Sequence, residues 1–102
     1  MATRVELHNE LLEILGSNNV YYQPPESVKI NYPAIVYFLS SVRQVKADDK
    51  DYRRLRSYDV TLIDKNPESG YFDVILDRFT YVRYDRHFVA DNLHHFIFTI
   101  YY

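Results

Sequence analysis

Asp85, His87, Asp91, His94 and His95 crowd into one stretch near the end of the chain. Carboxylates and imidazoles are ligand types for zinc or manganese, and on an extended strand Asp85-x-His87 places both side chains on the same face. The spacing nevertheless falls short of a metal signature. No HExxH run is present, and the turn Ala90-Asp91-Asn92 accounts for Asp91 by itself. His94 and His95 are strand neighbours and point to opposite faces. A small metal-dependent hydrolase using Asp85, His87 and Asp91 is the enzymatic alternative, and the weaker one. Nucleophilic catalysis has less support still, because the chain lacks cysteine, a G-x-S-x-G run and a glycine-rich phosphate loop, having only 2 glycines. Neither a catalytic residue nor a metal or other cofactor is expected.

The elements that carry these residues belong to one domain spanning residues 1–102, large enough for a core without disulfides or metal. No secretory signal is visible, and no apolar run approaches the ~20 residues of a membrane span, so no membrane partner is expected. A net charge of -2 argues against a dedicated nucleic-acid binder. The unusual feature is 11 tyrosines with no tryptophan. Tyrosine is enriched at protein–protein interfaces, and it is also a good strand former.

The chain opens with a helix. Thr3 and Glu6 have capping-box spacing, and Leu7, Leu11, Ile14 and Leu15 then form one apolar stripe up to Gly16, which suits the left-handed position after a helix. Glu10 and Glu13 read as a solvated face. Val20-Tyr21-Tyr22 is a short strand stopped by Pro24-Pro25, and Tyr32-Pro33 leads into the next one. Ser69 caps a second amphipathic helix, in which Phe72, Ile75, Leu76 and Phe79 recur at helical spacing.

Between the helices, residues 34–46 and 52–64 read as two long strands around Asp48-Asp49-Lys50-Asp51. A strand of about 13 residues measures ~43 Å, whereas a compact domain of this size is roughly 34 Å across. The hairpin is therefore expected to protrude, with an arm over residues 40–57. Arg43, Lys46, Arg53, Arg54 and Arg56 on that arm are candidates for contact with DNA. Asp48, Asp49 and Asp51 interleave with them, which a phosphate site would usually avoid. A solvated or inter-subunit arm is the simpler reading.

The last stretch, residues 81–102, reads as a hairpin whose second strand is apolar on both faces. Phe96, Phe98, Ile100 and Tyr102 alternate onto one face, and Ile97, Thr99 and Tyr101 occupy the other. The order helix, strand, hairpin, helix, hairpin gives an α+β domain: a mostly antiparallel sheet of about five strands, with both helices on one face. The other face is then open, and Phe96 to Tyr102 become candidates for an oligomer interface.

The runs Val20-Tyr21-Tyr22-Gln23-Pro24-Pro25, Lys29-Ile30-Asn31-Tyr32-Pro33-Ala34-Ile35-Val36-Tyr37 and Asp85 through His95 carry a resemblance. Over nearly its whole length the chain resembles the small tail-terminator or tail-completion proteins of long-tailed, non-contractile bacteriophages, some of which are labelled minor capsid or tail proteins. The resemblance implies a virion protein without enzymatic activity, assembled in the host cytoplasm into a ring, a hexamer, on the head-proximal end of the tail tube. Its partners would be further copies of itself, the tail tube protein and the head connector, with DNA passing through the lumen. A neck protein of the head-completion ring is the alternative within the same class.

Overall fold

The computed structural model describes residues 3–46 and 52–102, and within the long strands the side chains of residues 43–46 and 52–55 are outside that description. The elements follow in the order α1 (Arg4–Leu15), β1 (Val20–Tyr22), β2 (Ala34–Lys46), β3 (Tyr52–Asp64), α2 (Gly70–Arg78), β4 (Val82–Ala90) and β5 (Leu93–Tyr101). The strands form one five-stranded sheet in the order β1-β2-β3-β5-β4. All pairings are antiparallel except β1 with β2, so the chain is an α+β domain with a mostly antiparallel sheet.

Local chemistry explains the helix ends. Thr3 Oγ1 accepts the Glu6 N–H at 3.2 Å, and the Thr3 hydroxyl meets the Glu6 carboxylate at 3.4 Å. At the other end Gly16 adopts φ 70°, and its N–H closes on the Leu12 carbonyl at 2.9 Å, a geometry that a side chain at this position would strain. The second helix begins after Ser69 as expected. Ser69 caps by position alone, because its buried hydroxyl makes no hydrogen bond.

Both helices pack on the same sheet face. Leu7, Leu11, Ile14 and Leu15 of α1 join Ile75 and Phe79 in one cluster with Ile35, Tyr37, Tyr58, Val60, Leu62, Phe96, Phe98 and Ile100. Strand register lines these residues up across the sheet: Ile35 opposite Leu62, Leu62 opposite Phe96, Val60 opposite Phe98 and Tyr58 opposite Ile100. The period of two along each strand places the remaining residues on the far side.

Strands β2 and β3 stay paired out to Lys46 opposite Tyr52. Strand β5 stops pairing with β3 at Tyr101 opposite Ser57. Beyond that point, among the described residues, β2 and β3 continue as a two-stranded ribbon. A register shift between Leu39 and Ser41 marks its base, where the Ser41 and Ser57 hydroxyls bond at 2.7 Å. Of the expected arm over residues 40–57, the tip at residues 47–51 lies outside the described residues.

Candidate assembly face

The sheet face away from the helices begins as a set of strand residues left over by the core. Tyr21, Phe38, Asp59, Thr61, Ile97, Thr99 and Tyr101 project there, joined by Arg83, Arg86 and Phe88 of β4. One end of the face is covered by the connector between β1 and β2, whose Asn31 N–H donates to the Tyr21 hydroxyl at 3.4 Å. Ala34, Val36 and Ile63 are accordingly buried. Elsewhere on the face Phe38 is 44% exposed, Phe88 39% and Tyr101 45%, while Asp59, Thr61 and Ile97 are half-buried.

The seven expected interface residues divide between the two faces. Phe96, Phe98 and Ile100 are buried in the protomer's own core, where Phe98 lies 5.4 Å from the Phe72 ring and 5.7 Å from Tyr84. Their side chains are spent on the monomer and cannot present a surface. Tyr102 is likewise committed inward: its ring meets Phe79 at 6.1 Å and its hydroxyl donates to Glu10. Burial, with the Glu10 carboxylate beside it, pushes the Tyr102 hydroxyl up to about 12. Only Ile97, Thr99 and Tyr101 lie on the open side, and Thr99 is buried beneath a polar cluster.

That cluster also corrects the expected pairing of Asp85 with His87. The register of β4 against β5 shifts between Tyr84 and Arg86, which makes Asp85 the extra residue of a bulge. Asp85 turns onto the open face, where it accepts Thr99 Oγ1 at 2.5 Å and Arg83 Nε at 2.7 Å. Burial pushes the Asp85 carboxyl upward, but the bonds from Thr99 and Arg83 and the charges of Arg83 and Arg86 outweigh it and hold the group below its ordinary value. His87 returns to the helix-side face opposite Phe96. It meets His94 there, Nε2 to Nδ1 at 2.9 Å, while His95 faces the other way and stacks on Phe88 at 4.6 Å. Among the described residues no three His, Asp or Glu side chains group so as to hold a metal. The open face is thus aromatic at its flanks and polar at its centre, rather than apolar throughout.

Of the arm residues, Arg56 is half-buried, sits opposite Val42, and its carbonyl accepts the Tyr102 N–H at 3.1 Å. Arg43, Lys46, Arg53 and Arg54 lie on the ribbon backbone, and their side chains fall outside the described residues. Two features escaped the sequence reading. On the helix surface Arg78 of α2 donates to Glu10 at 3.0 Å and to Glu13 at 2.5 Å, tying the helices together. Tyr37, wholly buried, accepts from Arg4 at 3.2 Å and lies 2.7 Å from His8 Nδ1. Burial, with the Arg4 charge beside it, holds the His8 imidazole below its usual value.

Among the described residues no helix is long and apolar enough to cross a membrane. Comparison with protein families, with characterised proteins and with solved structures finds no match for the chain.

Proposed function

We propose that this chain is a structural virion protein of a long-tailed bacteriophage, a tail terminator that assembles into a ring on the tail tube and joins it to the head connector. The observation that supports the assembly part is the half-open sheet face, on which Phe38 of β2, Phe88 of β4 and Tyr101 of β5 are each exposed. Three exposed aromatic side chains on one sheet face of a small domain are costly unless a partner covers them, and aromatic residues are enriched where partners dock. The identity of the assembly rests on the family resemblance.

A closed ring requires two different surfaces on each protomer that meet head to tail. The open sheet face supplies one. The ribbon of β2 and β3 beyond Ser57 supplies a second, and Arg43, Lys46, Arg53, Arg54 and Arg56 on its strands are the candidates for contact with a neighbouring subunit or with DNA in the lumen. Such charged contacts set orientation more than affinity. The protein would then reside in the virion, after assembly in the host cytoplasm, without an enzymatic role.

Negative-stain imaging of the purified protein, alone and with its tail tube, tests this reading. Closed rings of uniform diameter at tube ends are expected. Monomers that never associate with the tube would overturn it. Reversal of Arg53, Arg54 and Arg56 to glutamate then separates the roles of the arm: intact rings with failed DNA passage place these arginines in the lumen, and lost rings place them between subunits.

A further inference from the structure

Between the β4–β5 hairpin and the start of α2 lies an open cleft of about 340 Å³. Phe72, Tyr84 and Phe96 supply its aromatic wall, with Phe72 edge-to-face with Tyr84 at 5.0 Å and with Phe96 at 5.6 Å. Glu68 and Asp73 line the same cleft and are both exposed. Among the described residues neither carboxylate has an ion-pair partner, and no lysine or arginine lines the cleft. Ser69 adds a third acceptor there. It is only 6% exposed, and its hydroxyl finds no hydrogen-bond partner among the described residues, a costly state for a buried polar group.

Taking self-assembly as proposed, we infer that this cleft receives an arginine side chain from the β2–β3 ribbon of a neighbouring copy. Aromatic rings beside uncompensated carboxylates suit an organic cation. The N-terminus of α2 opposes it with a partial charge of roughly +0.5, which two carboxylates outweigh. A guanidinium fits better than an ammonium. It is planar, stacks on aromatic faces, is more weakly hydrated, and brings five N–H donors to the two carboxylates and the Ser69 hydroxyl.

The chain's own arginines narrow the source. Arg4 donates to Tyr37, Arg78 to Glu10 and Glu13, and Arg83 to Asp85, while Arg86 lies over the Phe88 ring at 5.6 Å. The remaining arginines, Arg43, Arg53, Arg54 and Arg56, all belong to the ribbon. Ribbon and cleft sit at opposite ends of the sheet. Strand β3 runs from the ribbon past Ser57 to Leu62, which pairs with Phe96 at the cleft. From Arg54 to Leu62 the strand covers about 27 Å at ~3.4 Å per residue, several times the length of a side chain. A ribbon arginine therefore reaches only the cleft of another copy, and a contact between opposite ends is head-to-tail, as ring closure requires.

Paired charge reversal tests this contact in the full chain. One variant carries Glu68→Lys and Asp73→Lys, the other Arg43→Glu, Arg53→Glu and Arg54→Glu. Far-UV circular dichroism checks that both fold, and light scattering over a concentration series reads association. Alone, each variant should associate roughly 10-fold or more weakly than wild type, because like charges then meet across the contact. Mixed in equal amounts they should regain association, since each native cleft meets a native ribbon and each lysine cleft a glutamate ribbon. A chain with Arg43→Lys, Arg53→Lys and Arg54→Lys keeps the charge and should still fall short of wild type. Variants that associate singly as wild type does, a mixture no stronger than its parts, or a lysine chain at full strength would overturn the inference and leave assembly through the open sheet face standing. A wild type that stays monomeric would overturn the assembly reading, and this contact with it.

Discussion

Tyr102 and His8 show how single residues tie α1 to the sheet, and each carries a pH signature. The half-buried Tyr102 ring packs on Phe79, its hydroxyl is bonded to Glu10, and its ionisation is pushed up to about 12 from an ordinary 10.0. Burial also raises Tyr37 and Tyr58. A hydroxyl that ionises later in the folded chain stabilises it below the unfolded value, and that contribution is lost as pH climbs through the window between the two. Stability should therefore fall between pH 10.0 and about 12. Denaturant melts across that range should show a shallower fall for Tyr102→Phe; an identical slope would place Tyr102 in solvent. His8 has the opposite limb. Its imidazole is held below the ordinary 6.5, so the unfolded chain takes up a proton first and stability declines as pH drops through 6.5. Replacing His8 with Gln should flatten that acid decline in the same melts. None of this was legible beforehand, because the partners Glu10 and Tyr37 are distant in sequence and nothing local marks the contact.

At the scale of elements, most of the architecture could be read from periodicity. The apolar stripe from Leu7 to Leu15, the glycine at position 16 and the alternation in β2, β3 and β5 each point to one structure, and that agreement is what makes a fold readable. The last strand misled because both its faces carry apolar residues, and alternation cannot say which face belongs to the core. Helices α1 and α2 settle it: Phe98 is wholly buried against Phe72, and its neighbour Ile97 points to the open side. Truncating Phe98 to Ala should cost about 3–5 kcal/mol, a transfer loss plus a cavity. Ile97→Ala should cost far less in the monomer. Urea unfolding of both variants checks this, and equal losses would mean that the two faces are assigned wrongly. The bulge at Asp85 was equally invisible, since a single unpaired residue leaves no mark in a polar edge strand. It sends Asp85 to Thr99 and His87 to His94, which dissolves the expected Asp85–His87 pair and creates the histidine pair instead.

For the whole molecule, the central claim is that the open sheet face is an assembly surface. The geometry narrows how to test it. Removing Tyr101 and Tyr102 together would confuse folding with association, because Tyr102 packs on Phe79 inside the protomer. Phe38, Phe88 and Tyr101 are cleaner probes, each being well exposed on the open face. A substitution there should leave the monomer near its original stability, as surface changes usually do to within about 0.5 kcal/mol. The decisive measurement is the mass in solution by light scattering over a concentration series, for wild type and for a chain with Phe38→Ser, Phe88→Ser and Tyr101→Ser. A closed oligomer for wild type and a folded monomer for the variant is the predicted result. A variant that assembles as wild type does, or a wild type that stays monomeric at every concentration, would contradict the claim.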